Sequence, residues 1–156
     1  MATRRPPRLP RGVYIGTNRY SVTVHAFPGS RPFLSRECVV RVMRQFRQLA
    51  ARHHFAVLAF CFMRDHLHLV LEGTDDTADL VRFISLFKQH SGFEHRRETS
   101  EHLWQEGFYD RVLRADEDSL DAVRYVLSNP VRAGLAQSIV DWPFSGSDVF
   151  DIRYLD

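Results

Sequence analysis

FAVLAFCFMRDHLHLVLE, residues 55–72, is the most strongly patterned segment of the chain. Its first half, residues 55–63, is an unbroken apolar run of strand length, which is typical of a buried central strand. Arg64 and Asp65 interrupt the run, and residues 66–72 then alternate between polar and apolar side chains. Two strand-like stretches joined by so short a break predict an antiparallel hairpin at the centre of a sheet.

The residues before the hairpin predict one strand and one helix. Residues 20–26 alternate in the manner of a half-buried strand, and Pro28, Gly29 and Pro32 then break the chain. Ser35 is a natural N-cap with Glu37 in the first turn, so a helix is expected from there to about residue 53.

The residues after the hairpin predict two helices and a strand. Thr77 is expected to cap a helix through about residue 91, with Gly92 ending it. Residues 93–103 are charged and are interpreted as a mobile loop or a ragged helix, and residues 108–113 as a fourth strand. A last helix over residues 117–128 is expected to stop at Asn129-Pro130.

This order of elements predicts an α+β fold. The first six elements match the split β-α-β pattern of ferredoxin-like domains, an antiparallel sheet with helices packed on one face, and an additional C-terminal helix carries Tyr125. We expect one domain over residues 19–135, a basic Pro/Arg-rich arm over residues 1–18, and a tail over residues 136–156 that packs on the domain. A fold of this kind does not by itself choose a function.

Composition excludes little but sets useful bounds. The chain has 156 residues, 44% of them hydrophobic and 26% charged, which is close to a globular average. No apolar run approaches membrane-spanning length, and no apolar region follows the N-terminal arginines, so a cytoplasmic protein without a membrane partner is expected. Cys61, inside the apolar run, is interpreted as a buried free thiol.

The net charge of only +2 is a weak indicator of nucleic-acid binding, and the distribution of cations is more informative. Prolines interleave the arginines near the N-terminus, which predicts an extended arm that is either a disordered tail or a segment that tracks phosphates. A second basic group lies at and beyond the end of the second predicted helix, and Tyr14 and Tyr20 are candidates for stacking on unpaired bases. The candidate phosphate-binding cations are Arg4, Arg5, Arg8, Arg11, Lys88, Arg96 and Arg97.

His66 and His68 are the candidate metal ligands. Residues two apart on a strand point to the same face, so the two imidazoles project together while Leu67 points away. Neutral imidazole is a common donor to divalent ions. The alternative is a pair of polar residues on a solvated face, but the apolar residues around them place the pair mid-sheet, where solvated histidines are uncommon.

The last predicted helix offers Tyr125 and Asn129. They lie one turn apart and off the apolar stripe, so they share a face. Tyr125 could direct its phenol into the metal site while the Asn129 side chain supplies a third ligand. The alternatives are an amphipathic rim position for the tyrosine and a C-terminal cap for the asparagine.

Three segments together resemble the REP-associated tyrosine transposases, single-tyrosine members of the His-hydrophobic-His (HUH) nuclease superfamily. They are residues 63–71, 104–108 and 124–135, and the resemblance extends over about residues 20–135. It implies that His66 and His68 bind a metal together with Asn129, and that Tyr125 is the nucleophile. It also implies magnesium or manganese, where imidazole donors alone would suggest zinc. One departure is Arg64-Asp65, where the family commonly has Pro-Asn, which puts the local bulge geometry in question.

The function that the resemblance implies is metal-dependent cleavage and rejoining of single-stranded DNA through a 5′-phosphotyrosine, on hairpin-forming repeat DNA. Arg124 and Arg132 are further candidate DNA-binding cations, and they could also add positive charge near the phenol. A bacterial, nucleoid-associated protein is expected, with a monomer favoured, a dimer possible, and Tyr125 acting in its own subunit.

Three alternatives stay open at this point. One is a non-catalytic protein that binds single-stranded DNA or RNA hairpins on the same fold, including a domesticated relative that mobilises nothing. Another is a hydrolase in which metal-bound water attacks and Tyr125 is structural. Within the tyrosine mechanism, Tyr109 is the fallback nucleophile, although it lies on a predicted strand and lacks a partner residue one turn on.

Overall fold

A computed structural model of the chain describes residues 8–155, so the predicted contacts of Arg4 and Arg5 lie outside the described residues. Strands, helices and short 3-10 turns make up that range. The elements are β1 (Arg19–His25), α1 (Arg36–Arg52), β2 (Phe55–Phe62), β3 (His66–Gly73), α2 (Leu80–Thr99), β4 (Tyr109–Val112), α3 (Ser119–Leu127), α4 (Asn129–Arg132) and β5 (Ser145–Gly146).

The sheet confirms the predicted fold class. Its strands are antiparallel throughout and lie in the order β4-β1-β3-β2-β5, with β3 at the centre. Strands β1 to β4 therefore have the ferredoxin-like arrangement. β2 and β3 form the predicted hairpin, with a bulge between Val57 and Ala59 that shifts the register. The short β5, which the sequence did not predict, extends the sheet beyond β2.

Helices lie on both faces of the sheet. α1 and α2 cover one face, where Phe46 packs edge-on against Phe87 and the buried side chains of β3 include Leu67 and Leu69. On the other face Cys61 and Val70 pack in a second apolar cluster with residues of α3 and the C-terminal segment. Cys61 is a buried free cysteine, as predicted. The tyrosine-bearing helix is therefore opposite α1 and α2, on the face to which the histidines of β3 point.

The predicted end of the second helix at Gly92 is wrong. α2 is capped by Asp79, whose carboxylate accepts from the Arg82 amide at 3.1 Å, and it continues to Thr99. Tertiary contacts outweigh the low helix propensity of glycine here. Trp104 donates to the Ser91 hydroxyl at 2.9 Å, directly before Gly92, and thereby ties the helix to the segment that follows it.

The side chains after Gly92 are also engaged. Glu94 accepts from Gln45 of α1 at 2.7 Å, and His95 is buried, so the stretch interpreted as a mobile loop or a ragged helix is packed helix as far as Thr99. Thr77, predicted as the N-cap, instead donates its amide to Asp75 at 2.8 Å in the turn before the helix.

The helical path also continues beyond Asn129-Pro130. α3 ends at Leu127, and α4 begins at once with Pro130 in its first turn, where a missing amide donor costs little. The chain then returns to the sheet: the Trp142 indole donates to the Phe62 carbonyl at 2.9 Å, and the Phe62 amide donates to the carbonyl of Phe144 at 2.9 Å.

Of the predicted extended arm over residues 1–18, the described residues 11–14 are not extended. Arg11–Tyr14 form a 3-10 turn that Pro10 precedes, because proline fixes a backbone angle compatible with a helical start. Tyr14 and Tyr20 are buried against each other, and the Tyr20 hydroxyl donates to the Val13 carbonyl at 3.0 Å. The prediction that these two rings stack on unpaired bases is therefore wrong. None of the helices within residues 8–155 combines the length and apolar character needed to cross a bilayer.

Candidate active site

The imidazoles of His66 and His68 lie side by side on one face of the central strand. Their ring centroids are 4.6 Å apart at 85°, while Leu67 is fully buried on the opposite face. The two-residue period of a strand accounts for this arrangement, and the prediction of a shared face is confirmed.

Each imidazole is oriented by an oxygen that sequence reasoning did not assign. Nδ1 of His66 lies 2.7 Å from the Asp65 carboxylate, and Nδ1 of His68 lies 3.1 Å from the hydroxyl of Thr23 on β1. Such partners fix ring orientation in metal sites and leave Nε2 as the nitrogen that can bind an ion. No local signal could have identified Thr23, because its position beside His68 depends on the register of β1 against β3.

Burial keeps His68 neutral. It lowers the pKa of His68 to about 4, with further contributions from the charges of His66, His25 and Arg132. A neutral imidazole has a free lone pair, so His68 is in the protonation state that metal binding requires near neutral pH.

A third histidine, His25, lies beside the pair. It is the cross-strand partner of His66, and their rings stack at 5.4 Å and 27°. Burial lowers its pKa as well. Tyr109, the fallback nucleophile, packs edge-on against His25 at 5.6 Å and is therefore on the same face of the sheet. Within residues 8–155, no three His, Cys, Asp or Glu side chains lie close enough together to hold a metal by themselves.

Tyr125 on α3 is exposed over 66% of its surface and lies against Arg132. The guanidinium carbon is 4.0 Å from the centre of the phenol ring, and the same group donates to the Tyr125 carbonyl at 2.8 Å. Among the described residues, the ring contacts of His66 and His68 are with each other and with His25, not with Tyr125. The structure thus brings the tyrosine to the face of the sheet that carries the histidines without a direct contact between them.

Arg132 links the tyrosine to the histidine strand. Its guanidinium also hydrogen-bonds the Ser128 hydroxyl and the side-chain oxygen of Asn129. Its positive charge is also one of the smaller causes of the lowered pKa of His68, so the guanidinium acts electrostatically on the histidine strand. The sequence indicated Arg132 only as a cation near the phenol. Its hydrogen bonds were not predicted, because the sequence does not distinguish an arginine that is hydrogen-bonded from one that is solvated.

Asn129 is the candidate third ligand. Its Oδ1 accepts from Arg132, while its Nδ2 is buried and has no hydrogen-bond partner in the described part of the chain. Leaving such an atom unpaired costs about 1–3 kcal/mol, which indicates that something outside the described residues satisfies this side chain or makes it rearrange. Two free imidazole nitrogens and one amide fit a divalent ion, provided that Oδ1 is released from Arg132.

The other predicted phosphate-binding cations are mostly engaged. Arg8 pairs with Asp110 at 3.1 Å, Arg11 with Asp79 at 3.1 Å, and Arg124 with Asp121 at 3.7 Å.

Lys88 donates to the carbonyls of Gln105 and Gly107, which gives it a structural role at the start of the β4 segment. Arg96 and Arg97 are exposed in the last turn of α2, with Arg97 5.9 Å from the ring of Phe93. They are the two members of the predicted second basic group whose charges face solvent.

The fold and the site define an α+β domain with two imidazoles on its central strand and a tyrosine-bearing helix over the same face. Residues 21–129 match the family described as "Transposase IS200 like". This match covers most of the chain, and the chain therefore belongs to the IS200-like transposase family.

Relatives confirm the resemblance to REP-associated tyrosine transposases. The REP-associated tyrosine transposase of Escherichia coli (strain K12) is 30% identical over 95 residues, 58% of this chain and 53% of that protein. A Haemophilus influenzae protein with the same family designation is 27% identical over 111 residues, 64% of this chain and 63% of its own. The matched region thus spans between half and two thirds of each relative.

Solved structures agree with the fold. A REP-associated tyrosine transposase bound to a REP hairpin superposes with a TM-score of 0.72 at 20% identity, covering 93% of this chain and 82% of that one. A Deinococcus radiodurans protein assigned as a transposase gives 0.53 at 17% identity, with 87% and 98% covered. At these identities the comparison establishes architecture only.

Proposed function

We propose that this chain cuts and rejoins single-stranded DNA, with Tyr125 as the nucleophile. Membership of a transposase family supports the reaction class. The observation that carries the residue assignment is Arg132, whose single guanidinium contacts Tyr125 and Asn129 and lies near His68. Tyr125, Asn129 and Arg132 lie within two turns of one helical stretch, and the packing of α3 on the sheet brings this stretch to the face that carries His68, which comes from a distant part of the sequence.

His66, His68 and Asn129 are the residues that would hold a divalent metal, and magnesium or manganese is proposed. A bound ion would polarise and orient the scissile phosphate. Asp65 and Thr23 keep the two imidazoles turned toward the site, and the buried, neutral state of His68 keeps its nitrogen available. The two imidazoles by themselves would favour zinc. The oxygen ligands, which are the Asn129 amide and water molecules, favour magnesium or manganese, and the proposal follows the oxygen ligands.

In the proposed reaction, the Tyr125 oxygen attacks the phosphorus and the bond from phosphorus to the 3′ oxygen breaks. The products are a 5′-phosphotyrosine and a free 3′-hydroxyl: the phenol gives its proton to solvent water, and the departing 3′ oxygen takes one proton from solvent. Because the covalent link conserves the bond energy, a second 3′-hydroxyl can reverse the step and rejoin the DNA. Arg132, already against the phenol ring, is placed to stabilise negative charge on the phosphoryl oxygens.

The proposed substrate is hairpin-forming repeat DNA with a single-stranded flank. The solved relative bound to a REP hairpin supports this substrate class. A monomer that uses its own Tyr125 is favoured over a dimer, and a cytoplasmic, nucleoid-associated location goes with the reaction.

The direct test is formation of a covalent adduct. The full chain is incubated with 5′- and 3′-labelled single-stranded hairpin DNA and manganese, then separated under denaturing conditions. We expect a denaturant-resistant protein–DNA band that carries only the label downstream of the cut. Tyr125→Phe should abolish the band and Tyr109→Phe should retain it. The opposite pattern would move the nucleophile to Tyr109, and cleavage without any adduct would assign the attack to water.

The second candidate is a hairpin-binding protein without catalysis. The observation that favours it is the position of the Tyr125 ring, which contacts Arg132 and neither imidazole. This candidate predicts hairpin binding of equal strength with manganese or with a chelator, and no adduct under either condition.

A further inference from the structure

A cavity of about 710 Å³ lies outside the site just described. One wall is the segment of residues 27–35, and the ends of α1 and α2 complete it. The amide of Ala26 donates to the Asp65 carbonyl at 2.8 Å, and that of Phe33 donates to the Arg64 carbonyl at 3.2 Å. The wall is therefore attached to the turn that precedes His66.

An exposed aromatic stack forms part of this cavity. The rings of Phe27 and His102 are nearly parallel, with centroids 5.4 Å apart at 25°, although 45% of Phe27 is exposed to solvent. The Phe27 amide donates to the Leu103 carbonyl at 2.8 Å, so the two segments that carry the rings are joined. An apolar ring held in place with one face toward a cavity suits a base, because every base has a π-face that can stack on it.

The charges of the cavity suit a phosphate. Arg31 and Arg41 line it, and neither forms an ion pair with a carboxylate within residues 8–155. Two unpaired guanidinium groups outweigh the single carboxylate of Glu101, which can accept a hydrogen bond from an exocyclic amine. His95 lies buried at the floor, and burial lowers its pKa, so it adds no charge near neutral pH.

We infer that this cavity binds one unpaired nucleotide of the substrate strand, with its base stacked on Phe27 and its phosphate against Arg31 and Arg41. Its volume is within the usual range of small-ligand sites, about 300–1,000 Å³. The identification of the strand as DNA rests on the proposed function, whereas the stacking and charge arguments rest on the cavity itself.

The test measures binding without cleavage. Fluorescence anisotropy with the full chain, in a chelator, compares labelled dT12 with an abasic strand of equal length and phosphate number. Stacking of one base predicts that Phe27→Ala lowers the preference for dT12 over the abasic strand by roughly 5- to 150-fold. Phe27→Trp should preserve the preference. Tyr154→Ala, which removes an exposed aromatic outside the cavity, should leave it unchanged.

The role of the arginines in binding phosphate is tested with one variant inside the cavity and one control variant outside it. Arg41→Gln should weaken binding of dT12 and of the abasic strand equally, while Arg52→Gln at the far end of α1 should weaken neither. A Phe27→Ala protein with the wild-type preference would overturn the inference, as would one that loses both strands equally.

A crosslink keeps the inference testable if a variant unfolds. Wild-type chain is irradiated with dT12 that carries one 4-thiothymidine, and the crosslinked peptide is identified by mass spectrometry. Attachment within residues 27–35 or 99–102 supports the nucleotide site, and attachment confined to other segments contradicts it. Since no step requires metal or Tyr125, failure of adduct formation would leave these results unaffected.

Discussion

Asp65 stands where related transposases commonly have the second residue of a Pro-Asn pair, and its carboxylate bonds Nδ1 of His66 at 2.7 Å. The same hydrogen bond is the main cause of the lowered pKa of Asp65. The departure from the family pattern therefore supplies an orienting carboxylate next to a candidate ligand, and the local geometry that the sequence put in question is that of an ordinary strand entry.

Replacing Asp65 by alanine should weaken metal binding. Loss of such an orienting partner typically costs about 10- to 100-fold in metal affinity. The measurement is titration of the full chain with manganese, followed by the paramagnetic resonance signal of the free ion. Asp76→Ala, in the exposed turn after β3, is the matched control and should bind as the wild type does. Equal affinities for the wild type and Asp65→Ala would show that His66 needs no orienting partner.

Arg132 should affect metal binding and catalysis in opposite directions. Arg132→Ala frees Oδ1 of Asn129 and removes a positive charge near His68, so manganese should bind several-fold more tightly. The same change removes a cation from the phenol, and adduct formation should slow by about 100-fold. Titration and single-turnover rates at saturating manganese separate the two effects. If manganese affinity and the rate of adduct formation both fell, Arg132 would only hold α4 in place.

At the scale of single residues, the sequence predicted what depends on local spacing. The shared face of His66 and His68 follows from the period of a strand, and the neighbouring turn position of Tyr125 and Asn129 follows from the period of a helix. His25 and Thr23 were missed because only the pairing of β1 with β3 brings them to the histidines.

At the scale of elements, the end of β3 approaches the loop before β1 so closely that one substitution is expected to be costly. A Cβ at Gly73, the last residue of β3, would lie 1.9 Å from the carbonyl oxygen of Gly16, which is backbone and cannot turn aside. Gly73→Ala should therefore destabilise the chain by about 3 kcal/mol or more, as measured by urea unfolding. Gly12→Ala is the control, because no atom lies within 4 Å of its added Cβ. Equal unfolding midpoints for the wild type and Gly73→Ala would show that the end of β3 and the loop at Gly16 can separate at no cost.

The elements themselves were predicted to different degrees for a physical reason. The hairpin and α1 have strong local patterns and were predicted almost to the residue. The continuation of α2 past Gly92 depends on Trp104 and on contacts from α1, which no local pattern contains. β5 is only two residues long, and its pairing with β2 is set by the packing of Trp142.

At the scale of the whole molecule, the order of elements sufficed for the architecture, because a split β-α-β pattern admits few antiparallel arrangements. The sequence did not predict on which face of the sheet α3 lies relative to α1 and α2. Helix α3 was predicted, but its place opposite α1 and α2 follows from a second apolar cluster built with the C-terminal segment. Helices therefore lie over both faces, and several histidines are half-buried or buried in the fold.

Those histidines should make the fold sensitive to acid. Burial lowers the pKa of His25, His68 and His95 below their value in an unfolded chain, which is about 6.5. Between the lowered and the unfolded values the unfolded chain binds more protons than the native one. Stability is therefore fully present above about pH 6.5 and declines as the pH falls through this window, with His68, whose pKa is lowered to about 4, accounting for about 2 kcal/mol at pH 5.

Urea unfolding in a chelator at pH 7.5, 6.5, 5.5 and 5.0 measures this decline without interference from metal binding, which would itself stabilise the native state. His95→Gln removes one buried imidazole and should flatten the pH dependence, whereas His90→Gln, at an exposed position of the same helix, should leave it unchanged. Carboxylates with lowered pKa, such as Glu94, lose their contribution only at lower pH, so they do not account for a loss that begins near 6.5. A stability that is constant from pH 7.5 to 5.5 would mean that these imidazoles become protonated without opening the layers around them.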